Sequence, residues 1–189
     1  MGRISYPRTF LNKRKLLFPF LNEMGKWADT LGLVAYSSDL KPCLENDLNI
    51  LKKIAEDAHS QGWPKIPKKD LKNFKTIKPI KISAGTKIYR VIGLDNFKGG
   101  YWLKNIPNNE LAFRRDFAVR NDWNGNGGYI EVEVKTEILA YEGQAIGQKV
   151  VVDKTYVLAG GATQVWMPSG DHFSFDLESI QSSIKSTGW

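Results

Sequence analysis

Leu139-Ala-Tyr-Glu-Gly-Gln-Ala-Ile-Gly-Gln148, followed by Leu158-Ala-Gly-Gly-Ala-Thr-Gln-Val-Trp-Met167, decides how this chain is read. Short apolar stretches stop at glycines, which is the signature of brief β-strands joined by turns. The Gly160-Gly161 pair leads into Gln164, a neutral amide set between apolar neighbours. Upstream, Lys87-Ile-Tyr-Arg-Val-Ile-Gly93 and Gly99-Gly-Tyr-Trp102 add one arginine and several aromatics. That inventory is poor in histidine and cysteine, so it does not suit metal or histidine-based acid–base chemistry. It suits holding or cleaving a nucleotide whose leaving group is already activated.

From residue 82 onward the texture is β. Strand-like runs occur at Thr86–Ile92, Tyr129–Val134, Ile138–Tyr141, Lys149–Val152, Tyr156–Leu158 and Gln164–Met167. Asn105 to Val119 holds a helix, and the tail from Asp171 forms a last short strand or helix. Residues 1–63 are expected to be mainly helical, and two stretches carry that expectation. One follows Pro19; the other repeats Leu44, Leu48, Leu51, Ile54, Ala55 and Ala58 at helical spacing until Gly62 and Pro64. Residues 64–81 carry three prolines and seven lysines and are expected to be a basic linker or a strand-like arm on the next unit. The fold class is therefore α+β. A helical uptake or docking segment (1–63) and a linker (64–81) lead into a β-rich catalytic domain (82–189).

Composition narrows the chemistry further. The single cysteine, Cys43, excludes an internal disulfide and a cysteine-based metal cluster, and no metal is expected. His59 and His172 lie apart from the motifs and are read as structural. The net charge of +7 divides into +8 over residues 1–81 and −1 over residues 82–189, so the electrostatic footprint that nucleic-acid binding requires is missing from the β-rich part and no nucleic acid is expected. No apolar run approaches the roughly 20 residues of a membrane span, and the N-terminus lacks the apolar core of a signal peptide.

Several residues are candidates for the chemistry. Arg90 shares a strand face with Ile88, where a guanidinium is costly unless it meets an anion. That anion is either a phosphate, which its planar fork fits, or a carboxylate such as Glu131 or Glu133; Gly93 nearby favours a ligand. Tyr101 and Trp102 follow a flexible turn and offer a stacking surface or an apolar cap. One of Arg114 and Arg115 is placed to meet a second phosphate. Trp123 stands before an Asn/Gly loop. Glu131 and Glu133 alternate on one strand face and read best as a solvent face. Gln148 and Gln164 close glycine-containing stretches, where an amide can fix a ribose hydroxyl or a water without titrating.

This pattern resembles the NAD glycohydrolase toxin family typified by tuberculosis necrotizing toxin, whose members are C-terminal effectors of contact-dependent and other polymorphic toxin systems. Arg90, Gly99 to Tyr101, Arg114 or Arg115, Gly143, Gln148 and Gly160 to Gln164 carry the resemblance, over about residues 82–168. It implies a compact split β-sheet core related to ADP-ribosyltransferases, with NAD or NADP as substrate and no cofactor. It also implies a cognate immunity protein and action in the cytoplasm of a target cell. On that basis Arg90, Gln164 and Glu142 are expected to be catalytic. Tyr101, Trp102, Arg114, Arg115 and Gln148 are expected to bind substrate. A mono-ADP-ribosyltransferase using Glu133 and a non-enzymatic nucleotide-binding domain are the alternatives.

Overall fold

The computed structural model describes residues 33–35, 47–92, 99–120, 123–124, 128–149, 156–168 and 184–189. The expected helix after Pro19, Cys43, His172 and the tail from Asp171 lie outside the described residues. The observed class is α+β with antiparallel sheets.

The elements are β1 (Leu33–Ala35), α1 (Leu48–Ser60), α2 (Lys68–Leu71), β2 (Lys78–Ile82), β3 (Lys87–Ile92), β4 (Tyr101–Trp102) and α3 (Glu110–Asp116). They continue as β5 (Gly128–Glu133), β6 (Ile138–Gln144), β7 (Gln148–Lys149), β8 (Tyr156–Leu158), β9 (Thr163–Trp166) and β10 (Lys185–Ser186). A four-stranded sheet runs β2-β6-β9-β4, a three-stranded sheet runs β10-β5-β3, and a smaller one runs β1-β8-β7. The first two meet where Tyr89 and Leu103 exchange backbone hydrogen bonds of 2.8 and 2.7 Å.

Strand alternation sorts the side chains. Ile88 and Ile92 of β3, Ile130 and Val132 of β5, Ala140 of β6 and Val165 of β9 form one core with Trp102 and Met167. The opposite face of the four-stranded sheet presents Tyr141 and Trp166 to α1. There the expected stripe of Leu51, Ala55 and Ala58 is buried as amphipathic spacing requires. Asp47 caps α1 by accepting from the Asn49 and Ile50 N–H groups at 3.0 and 3.2 Å. Each large side chain buried this way contributes roughly 1.5–3 kcal/mol.

Of the two readings for residues 64–81, the strand-like arm on the next unit is the one observed: Ile66, Leu71, Phe74 and Ile77 are buried beneath α1, and β2 pairs along β6 from Lys78↔Glu142 to Ile82↔Ile138. Apolar residues at those four positions outweigh the lysines, which stay at the surface. Pro79 is tolerated because β2 is an edge strand. α1 packs on the same sheet that carries β9. Within the region expected to be helical, Leu33–Ala35 is a strand paired antiparallel to β8.

Candidate active site

Arg90 reaches the junction of the two main sheets because β3 alternation turns it inward with Ile88 and Ile92 while Tyr89 and Val91 face α3. It is only 7% exposed. Its Nη1 donates to the Tyr101 carbonyl at 2.8 Å. Burial pulls its guanidinium down to about 10, so it is charged at neutral pH but poorly solvated. Gly99 lies against the guanidinium so closely that a Cβ there would occupy the space of its terminal nitrogens.

Gln164 arrives from the other sheet. The turn before it is docked on the last carbonyls of α3: Gly160 and Ala162 N–H groups donate to Arg115 and Asp116 oxygens, each at 2.8 Å. Gln164 then sits in β9 opposite Gly143 of β6, and is 6% exposed. Its Nε2 donates to the Asn73 carbonyl at 3.0 Å.

Arg90, Gln164, Tyr101 and Gln148 all open on one cavity of about 280 Å³. Its apolar wall comes from Val91, Leu103, Phe113, Phe117 and Val119, which pack together in one cluster. Trp123 and Asn124 also line it, and Asn124 is held by a 2.8 Å bond from its Nδ2 to the Val91 carbonyl. Among the described residues that line it there is no carboxylate. The volume sits near the lower end of small-molecule sites, roughly 300–1,000 Å³. It matches a heterocycle and its sugar better than a whole dinucleotide. One buried cation, four neutral amides and apolar walls can orient a charged ligand and stack a ring, but they offer no general acid.

The structure does not bring the other expected residues to the cavity. Trp102 alternates with Tyr101, so its ring enters the core between the sheets. Arg114 is buried beneath the cavity wall, where Nη1 donates to the Val119 and Arg120 carbonyls at 3.4 and 3.3 Å and Nε meets Glu110 at 3.4 Å. It supports the Val119 wall rather than facing a ligand. Arg115 pairs with its neighbour Asp116. Glu131 meets Lys87 at 3.0 Å and Lys185 at 3.2 Å, and Glu133 meets Lys135 at 3.2 Å, on the outer face of β5. His59 lines a separate hollow of about 440 Å³ between α1 and α2, its Nδ1 2.8 Å from the Trp63 carbonyl.

Glu142 also lies outside the cavity. Its parity on β6 is that of Ala140, opposite to the face that packs on α1, and it pairs with Lys104 and, at 3.0 Å, with Lys78. Burial pushes its carboxyl up, but the hydrogen bonds and charges of Lys104 and Lys78 outweigh burial and hold it below the usual range. A depressed folded value means its stabilisation is present above the ordinary carboxylate range and is lost as pH falls through the lower folded value. Glu142→Gln is therefore expected to lower the melting temperature near neutral pH by a few degrees, about 1 kcal/mol because both lysines are exposed. It should also flatten the acid limb below about pH 5 in thermal melts. A variant that loses stability in acid as steeply as the wild type would contradict this.

Asn73 is one of the site residues that the sequence does not reveal, with Phe113, Phe117 and Asn124. Asn73 lines the cavity from the loop after α2, and its Nδ2 donates to the Tyr101 hydroxyl at 2.8 Å. An asparagine among lysines carries no periodic or motif signal; only Phe74 beside it, fully buried and bridged to Ala145, marks the loop as packed.

Among the described residues no cluster of metal-binding side chains occurs, and no helix is long and apolar enough to cross a membrane. No protein-family model and no curated protein matches the chain. Among solved structures it is similar to "Structure of Tne2 in complex with Tni2", at 14% identity and a TM-score of 0.42, over 59% of this chain and 87% of that one. It is also similar to "Structure of Tse6 in complex with Tsi6", at 9% identity and a TM-score of 0.41, over 75% and 97% of the two chains. Likenesses this distant carry no functional argument.

Proposed function

We propose that the chain is a toxin-type NAD(P) glycohydrolase, cleaving the bond between nicotinamide and ribose to give nicotinamide and ADP-ribose. One observation carries the reading: Arg90 and Gln164, from different sheets, open on a single apolar cavity lined by no carboxylate among the described residues. Such a site is poor at chemistry that needs a proton delivered. It is adequate where the leaving group is a pyridinium, whose ring nitrogen takes the bonding electron pair and leaves neutral. Water then attacks the anomeric carbon and releases one proton, through an oxocarbenium-like transition state.

The roles follow from the geometry. Arg90 holds the diphosphate, because a desolvated guanidinium gains most from a bidentate anion. Phe113 and Phe117 flank the nicotinamide ring. Gln164 holds a ribose hydroxyl or the attacking water, and Gln148 assists at the rim. Rate enhancement then comes from pose and fixed dipoles. The relation to ADP-ribosyltransferase folds, delivery into a target cytoplasm and neutralisation by an immunity protein belong to the same reading and rest on the sequence motif.

The test is direct. Purified protein incubated with NAD and with NADP should release nicotinamide from at least one of them, and inertness toward both would refute the proposal. The transferase alternative requires Glu133, which is exposed and paired with Lys135. Glu133→Gln should therefore keep nicotinamide release within about two-fold of wild type, as expected for an exposed ion pair. A hundred-fold loss would favour the transferase.

A further inference from the structure

We propose that Asn73 is a positioning residue that sets the spacing between the Arg90 guanidinium and the Gln164 amide and turns the acceptor end of that amide toward the ligand. This role rests on the reading of the cavity as the site of nicotinamide release.

The argument begins with a carbonyl, which can only accept. The Asn73 main-chain oxygen receives the Ile146 N–H at 3.1 Å and the Gln164 Nε2 at 3.0 Å. The nitrogen end of the Gln164 amide is therefore held inside the protein, and Oε1 is the end presented to the cavity. An acceptor oxygen there suits a ribose hydroxyl, an attacking water or a developing cation; an NH₂ group would suit none of the last two.

The side chain does the second half. Asn73 Nδ2 donates to the Tyr101 hydroxyl at 2.8 Å, and that hydroxyl in turn donates to Asp70 Oδ1 at 3.0 Å. Both functions of the phenol are thus engaged within the protein, and Tyr101 acts through its frame rather than as a donor to the ligand. Its main-chain carbonyl accepts from Arg90 Nη1 at 2.8 Å. A continuous chain of hydrogen bonds runs from Gln164 through Asn73 and Tyr101 to Arg90, tying together two groups that come from different sheets. The loop itself is pinned by Asn73 N–H to the Asp70 carbonyl at 3.0 Å and Lys75 N–H to the Gln144 carbonyl at 2.8 Å. Changing the Asn73 side chain therefore leaves the carbonyl in place and tests the Tyr101 half alone.

Asn73→Asp is near-isosteric and removes the donor. Asp70 and Tyr101 are the titratable groups facing this position, with Arg90 beyond the Tyr101 carbonyl and Gln148 neutral beside it. Next to Asp70 the new carboxyl is expected to titrate above its ordinary range. At pH 8 the variant should lose about 10- to 100-fold in kcat/KM for nicotinamide release, and its ratio to wild type should rise at least about five-fold by pH 5, where a protonated carboxyl donates again. In a Tyr101→Phe background the same substitution should cost no more than about two-fold. Melting temperatures of all four proteins separate loss of fold from loss of pose. The role is overturned if Asn73→Asp matches wild type at pH 8. A deficit that is flat with pH and multiplies with Tyr101→Phe also overturns it, since a purely structural residue would behave that way. A wild type that leaves NAD and NADP intact overturns the underlying reading and the role with it, which sets that failure apart from the first two.

Discussion

Arg90→Met is expected to lower kcat/KM for nicotinamide release by about 10²-fold or more while raising the melting temperature. The two effects have one cause. Placing a guanidinium at 7% exposure pulls its pKa well below the ordinary arginine value, to about 10, a cost to the folded state on the order of 3 kcal/mol at neutral pH. A base with a lowered folded pKa binds fewer protons when folded, so that cost is present in full below about pH 10 and fades as pH rises above it. Methionine fills similar space without charge. It loses the guanidinium's hydrogen bonds, the one to the Tyr101 carbonyl among them, at about 1 kcal/mol each, so the net gain in stability should be no more than about 1–2 kcal/mol. The activity is lost because nothing else among the described cavity-lining residues carries positive charge to meet a diphosphate. Nicotinamide release and thermal melts on the same preparation check both halves. A variant that melts well below wild type would show that the guanidinium is a structural pillar, and one that keeps its rate would remove Arg90 from the site.

Gly143→Ala should fail at the level of the fold. A Cβ at this position would overlap the Thr76 carbonyl oxygen and lie 2.8 Å from the Phe74 ring. Neither neighbour can yield. Thr76 is held through its Oγ1, which accepts from the Gln144 N–H at 3.2 Å, and Phe74 is fully buried under α1. Gly143 also pairs with Gln164 in the register of β6 and β9, so any shift travels directly to the Gln164 amide. The expected loss exceeds about 4 kcal/mol, in the range reserved for backbone collisions and overpacked cores. Little soluble protein should be recovered, and what is recovered should melt at least about 10 °C lower. A variant melting within a few degrees of wild type would mean that the 74–76 loop moves aside more easily than its hydrogen bonds imply.

Much of the β framework was legible from alternation. The strands around Arg90, Glu131, Tyr141 and Val165 fall where period-two patterning and glycine stops put them, because strand parity is a local property. The amphipathic α1 was legible for the same reason at period 3.6. The two-residue β4 was too short to show any period, so Tyr101 and Trp102 were read as equivalent when pairing with Trp166 and Val165 sends them to opposite faces. The loop carrying Asn73 was obscured by its lysines, whose charge dominates composition although Ile66, Leu71, Phe74 and Ile77 decide the packing. Glu142 lies beside the glutamine motif in sequence, but nearness along a strand says nothing about which face a side chain takes.

Sequence by itself determined the fold class, the inward turn of Arg90 and the buried amide at Gln164, since each follows from a short-range pattern of apolar residues and glycines. Only the tertiary structure decided which of the candidate groups share a cavity. That depends on two sheets meeting at Tyr89 and Leu103, on a turn docking against the end of α3, and on a lysine-rich loop folding under α1. These are contacts between residues far apart in the chain, and their geometry is set by packing rather than by any local period.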